Sequence, residues 1–188
     1  MRVGVLALQG DFAAHLAALE SCGCEALEVR SGPEVEAVDA LIIPGGESTT
    51  ILKLIDRFEL RDLLIKRIGG GLAVFGTCAG AILLSHEASD GEPPLGVLDL
   101  TVERNAYGRQ VESFETGLEV KGLGTVRAVF IRAPVFVSVG AAVEVLATWA
   151  ERPVLVREGK LLASAFHPEL TGDLRVHRYF LEKVVGDG

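Results

Sequence analysis

Four mainly apolar runs constrain this chain more than any other feature: residues 3–8, Ala40–Ile43, residues 72–75 and residues 161–166. Each is short, and each ends at once in Gln-Gly, Pro-Gly-Gly, Gly-Thr-Cys or His-Pro. A strand that does not alternate apolar with polar residues is buried on both faces, as in a parallel sheet covered by helices on either side. Segments at helical spacing lie between the runs. Phe12, Leu16 and Leu19 precede Gly23, and residues 51–58 and 60–68 precede Gly69-Gly70-Gly71. Residues 26–29 read as a further strand, residues 79–86 start a helix and residues 174–185 form a closing one. Beyond Pro93-Pro94 the character changes. Residues 97–102, 111–114, 118–120, 126–131 and 143–146 read as strands joined by short turns, partly antiparallel and added at the sheet edge. The pattern predicts one α/β domain over residues 1–188, with a mostly parallel central sheet, helices on both faces and added antiparallel edge strands.

The third run leads straight into Gly76-Thr77-Cys78-Ala79-Gly80. A nucleophile held at a tight strand-to-helix turn sits in a strained backbone, so the positions two before and two after it must be small. The turn sets the sulfur at a helix N-terminus, where the dipole and free N–H groups favour a thiolate. The Ala79 N–H would face a developing oxyanion.

The fourth run ends in His167-Pro168-Glu169. A thiol nucleophile needs a base that later serves as acid for the departing amine, and an imidazole does both near neutral pH. Glu169, two positions on, could fix that ring's tautomer and direction. Both motifs follow strands, and open α/β sheets form their sites at the carboxyl ends of strands. The second run ends in Pro44-Gly45-Gly46-Glu47, where consecutive glycines let backbone N–H groups approach a ligand. Gly46 could give the second oxyanion donor, and Glu47 could hold a substrate ammonium. A plain turn capped by Ser48 is the competing reading. No Gly-Lys-Ser/Thr follows, so this is not a phosphate loop.

Composition narrows the field. The formal net charge is −8, with no dense Lys/Arg run, which argues against nucleic acid and anionic membranes as partners. The N-terminal apolar run is too short for a signal peptide, and no segment approaches the ~18 apolar residues of a spanning helix. A cytoplasmic location is expected. Cys22 and Cys24 lack the further ligands of a zinc pattern and read as small packing residues. His15, His86 and His177 read as structural or solvent-exposed.

Together, PGGES, GTCAG and HPE in this order resemble the class I (triad) glutamine amidotransferases. More narrowly, LQGDFAAH, PGGESTT, FGTCAGAILL, VERNAYGRQVESFE, VFIRAP and FHPELTGD resemble the family of glutaminase subunits of pyridoxal 5′-phosphate synthase, from residue 3 to about residue 180. The resemblance implies a flavodoxin-like three-layer fold and hydrolysis of L-glutamine by Cys78, His167 and Glu169. It places the oxyanion hole at the Gly46 and Ala79 N–H groups and glutamine contacts at Gly46, Glu47, Ser48, Arg104, Ile131 and Arg132. It sets Gln9 and Gly10 beside the oxyanion hole and the partner interface. It also implies ammonia transfer to a (β/α)8-barrel synthase subunit, with no metal and no bound cofactor. A cysteine hydrolase of another class on a similar sheet, such as a peptidase or stress protein, and a non-catalytic scaffold are the alternatives.

Overall fold

A computed structural model describes residues 1–104 and 113–186. Its first half alternates strand and helix: β1 (Arg2–Leu6), α1 (Phe12–Ser21), β2 (Glu25–Val29), α2 (Gly32–Glu36), β3 (Ala40–Ile43), α3 (Ser48–Arg57), α4 (Arg61–Gly69), β4 (Ala73–Thr77) and α5 (Ala79–Leu84). Next come β5 (Ser85–Ala88), β6 (Leu98–Glu103), β7 (Ser113–Val120), β8 (Gly124–Ile131), β9 (Val135–Val139), β10 (Glu144–Trp149), β11 (Arg152–Glu158), β12 (Leu161–Ser164) and α6 (Arg175–Tyr179).

The main sheet has the order β10-β11-β12-β4-β3-β1-β2. From β12 to β2 every pairing is parallel. The four apolar runs supply its centre: β3, β4 and β12 are buried throughout, and β1 is buried from its second residue. The chain steps outward from β1 to β2, then returns to the other side of β1 at β3. Right-handed crossovers on opposite sides of that reversal put α1 and α3 on opposite faces of the sheet. A crevice opens outside the carboxyl ends of the strands where the order reverses, between β1 and β3.

The added strands divide in a way the sequence reading did not anticipate. Only β10 and β11 extend the main sheet, antiparallel to each other and to β12. The others form a separate β5-β6-β9 sheet and a separate β7-β8 pair. The runs at 111–114 and 118–120 join in β7 as far as residue 113, with 111 and 112 outside the described residues. Gly117 within a half-exposed strand made one element read as two. The helix expected over residues 79–86 stops at Leu84, where the Ser85 hydroxyl donates to the Ile82 carbonyl at 2.8 Å and the chain turns extended. Helix α2 has five residues, too few to show a period, and Pro153 masked β11. The closing helix begins at Arg175 and continues past Tyr179 in wider π-helical turns over Phe180–Val185.

A cluster of rings anchors the β7-β8 pair. Phe114 stacks on Phe130 at 4.7 Å, Trp149 lies 4.5 Å from Phe114, and Phe166 lies 5.6 Å from Phe130. This fastens β8 beside the end of β12, where His167 follows. Among the described residues no helix is long and apolar enough to cross a membrane.

Candidate active site

Cys78 adopts φ 49° and ψ −103°, a conformation an L-residue enters only under constraint. Its N–H is tied to the Ser164 carbonyl of β12 at 2.8 Å. The small flanks are required. A Cβ at Gly76 would lie 2.6 Å from the Gly80 carbonyl carbon and oxygen, and one at Gly80 would lie 2.0 Å from the Ile43 oxygen. Ala79 opens α5, so its N–H has no acceptor within the helix.

His167 follows β12, and its N–H donates to the Val129 carbonyl of β8 at 2.8 Å. Its Nδ1–H donates to Glu169 Oε1 at 2.7 Å, leaving Nε2 for the thiol. The Cys78 thiol also reaches the Ile131 carbonyl at 3.9 Å. Burial by itself would lower the His167 pKa. Hydrogen bonds to Cys78 and Glu169 outweigh it and raise the pKa to about 10. Burial would likewise raise the Glu169 carboxyl, but His15 and then His167 hold it well below the usual carboxylate range. The pair is thereby biased toward imidazolium and carboxylate.

The Pro-Gly-Gly-Glu turn lies against this pair. A Cβ at Gly45 would come within 2.4 Å of His167 Cε1 and 3.5 Å of Cys78 Cβ, so the first glycine, and not only the second, is dictated by the site. The Gly45 carbonyl accepts from the Asp11 N–H at 3.1 Å. A trans peptide then points the Gly46 N–H the opposite way. Gly10, at φ 100°, could not carry a Cβ without meeting the Gly45 oxygen at 1.9 Å, and Gln9 Oε1 accepts from the Glu47 N–H at 2.8 Å. The loops after β1 and β3 therefore interlock at the crevice. Helix α3 starts at Ser48, but its cap is Glu47, whose carboxylate accepts from the Thr49 and Thr50 N–H groups and the Thr50 hydroxyl.

A cleft of about 610 Å³ joins these parts. Gln9, Gly46, Glu47, Ser48, Cys78, Ala79, Arg104, Ile131, Arg132 and His167 all line it. Gly10 and Glu169 are not in its lining, but adjoin Gly45 and His167, which are. The Arg104 guanidinium bonds Thr49 Oγ1 at 3.4 Å and the Glu92 carbonyl at 3.1 Å, with burial as the main influence lowering its pKa. Arg132 holds φ 41° at the rim. Residues 105–112, most of the VERNAYGRQVESFE motif, lie outside the described residues. Among the described residues no group of three or more His, Cys, Asp or Glu is disposed to hold a metal ion.

Sequence reasoning missed the depth of His15 and His177. Both are fully buried, and His15 bonds both Thr77 and His177. The spacing contained a clue, because Phe12, His15, Leu16 and Leu19 share one helical face. Burial, then the neighbouring His15, lowers the His177 pKa to about 3, against a partly opposing effect of Glu169. Below pH 6.5 the unfolded chain takes up a proton at this position that the folded chain refuses until about pH 3. Stability therefore falls as pH falls through that window, by about 2 kcal/mol at pH 5 from this site alone. Thermal midpoints measured from pH 7.5 to 5.0 should fall less steeply in His177→Gln than in the unaltered chain. Parallel slopes would refute this assignment.

A doubly wound α/β protein with a cysteine at a nucleophile elbow beside its switch point is the class that this fold and site define. Two solved structures share the fold: one described as a glutamine amidotransferase, with TM-score 0.94 and 60% identity over 98% of both chains, and one of PurLQS from Thermotoga maritima, with TM-score 0.71 and 16% identity over 96% of this chain and 97% of that one. The sequence profile of the SNO glutamine amidotransferase family matches residues 5–186, and the chain belongs to that family. It is 61% identical over 183 residues to the pyridoxal 5′-phosphate synthase subunit PdxT of Thermus thermophilus, covering 96% of each chain. It is 58% identical to the corresponding subunit of Pelotomaculum thermopropionicum, covering 100% of this chain and 97% of that one.

Proposed function

We propose that this chain hydrolyses L-glutamine to L-glutamate and ammonia, and delivers the ammonia to the synthase subunit of a pyridoxal 5′-phosphate synthase. The observation that carries the reading is Cys78 at a strained elbow, lining one cleft with an imidazole that Glu169 orients. Family membership and the relatives' names support the substrate and the partner. The partner's (β/α)8-barrel fold is part of the proposal, as are the single-domain organisation and the cytoplasmic location.

The thiolate of Cys78 attacks the side-chain amide carbon of glutamine. The N–H groups of Ala79 and Gly46 receive the oxyanion. His167 passes its proton to the nitrogen, the C–N bond breaks, ammonia leaves and a glutamyl thioester remains. The neutral imidazole then takes a proton from water, whose oxygen attacks the thioester. Glutamate departs and the thiolate returns. Arg104 is suited to the substrate carboxylate. For the substrate ammonium Glu47 remains at hand, although its carboxylate already caps α3. Ser48, Ile131 and Arg132 complete the glutamine contacts, and Gln9 and Gly10 brace the oxyanion loop and face the synthase.

Ammonia escaping near neutral pH is protonated and lost to a partner that needs the free base, so direct delivery is the chemical reason for pairing. Glutamate release should be slow from the chain alone and rise sharply when a synthase subunit is added. Equal release with and without the partner would remove the two-subunit reading, and no release in either case would remove the glutaminase reading.

A further inference from the structure

The proposed reaction uses one imidazole, yet Glu169 lies between two. Its Oε1 takes the His167 Nδ1–H at 2.7 Å and lies 3.5 Å from Nε2 of His15, with no side-chain exposure at either Glu169 or His15. The other carboxylate oxygen has no hydrogen-bond partner among the described residues. What holds this buried carboxylate, apart from the base it orients, is therefore His15.

The tautomers follow from the neighbours. A lone pair on His15 Nε2 facing a carboxylate would be repelled, so Nε2 carries the hydrogen and directs it toward Glu169 Oε1 and Thr77 Oγ1, the latter at 3.0 Å. His15 Nδ1 then accepts from the Nε2–H of His177 at 3.1 Å. His177 Nδ1 is left as a bare acceptor, and it indeed has no partner among the described residues. Phe75 seals the group, with its ring 6.4 Å from His15 and 6.0 Å from His177, edge to face with each. One imidazole from α1 thus touches both the residue before the nucleophile and the carboxylate behind the base.

We propose that His15 is a positioning residue for the reaction, aiming the Glu169 carboxylate at His167 while bracing Thr77 beside Cys78. The inference rests on the glutaminase reading for its kinetic test, but not for its chemical one. In His15→Leu the donor disappears. In His15→Gln an amide N–H can occupy the place of Nε2–H.

With the synthase subunit present, His15→Leu should lower kcat about 10- to 100-fold while KM stays within about twofold, the scale and pattern of losing an orienting partner. His15→Gln should recover most of that loss. Alkylation of Cys78 by iodoacetamide at neutral pH requires no glutamine, and it should slow in His15→Leu and recover in His15→Gln. Thermal midpoints of both variants separate positioning from packing. Unchanged kcat and alkylation in His15→Leu would overturn the proposal. So would equal losses in both variants that follow their thermal midpoints. If the unaltered complex released no glutamate, the functional reading would fall, and alkylation alone would still decide the role of His15.

Discussion

Cys78→Ala should abolish glutamate release from the complex with its synthase, by at least about four orders of magnitude, because the covalent route disappears with the sulfur. Thermal stability should change little. The side chain is small, alanine fills most of its volume, and the φ of 49° is as uncomfortable for alanine as for cysteine. Cys78→Ser should be almost as inert, since a hydroxyl is far less acidic than a thiol and stays protonated beside the same imidazole. The sharper test is a bypass. When ammonium salt is supplied at a pH that maintains some free ammonia, the synthase carrying Cys78→Ala should form product, whereas glutamine should give none. Glutamine-dependent product in that complex would show that another group attacks the amide. No product with either nitrogen source would mean that the variant damages the partner, and the role given to Cys78 would lose its support.

Much of this is legible in the sequence itself. The four apolar runs are readable because strands buried on both faces leave few polar positions to confuse the period. The elbow is readable because its geometry excludes all but small residues at 76 and 80, and the proposed base is readable because His-Pro-Glu ends a buried strand. The rest is hidden for physical reasons. Half-exposed strands such as β7 carry weak alternation, and a glycine within one mimics a turn. Elements of four or five residues, such as α2 and β5, cannot display a helical or strand period. Assignment of the late strands to separate sheets depends on long-range pairing, which no local pattern encodes. His15 is the most informative miss. Flanked by alanines it looks incidental, although its place on the apolar face of α1 is present in the spacing. Its partners, Thr77, Glu169 and His177, come from three distant stretches, and only the fold unites them.

Gly80→Ala should be strongly destabilising, although it adds a single methyl. The new carbon would lie 2.0 Å from the Ile43 oxygen, 2.9 Å from its carbonyl carbon and 3.3 Å from its Cβ. Those backbone atoms end β3, which is held between β1 and β4 by parallel ladders on both edges, so the strand cannot retreat alone. Either α5 lifts from the sheet, carrying the Cys78 elbow with it, or the β3 terminus shifts and moves the Pro44–Gly45–Gly46 turn off His167. Overpacking that a flexible side chain cannot absorb costs about 3 kcal/mol or more, which in a chain of this size lowers the thermal midpoint by roughly 10 °C. Gly69→Ala is the matched control: its added carbon meets nothing within 4 Å at the end of α4, and alanine there should be neutral or slightly stabilising. Should Gly80→Ala fail to accumulate as folded protein while Gly69→Ala does, the direction is already established. A Gly80→Ala midpoint within about 2 °C of the control would mean that the α5–β3 contact yields easily, and the rigid coupling between the elbow and the Pro44–Gly45–Gly46 turn would have to be abandoned.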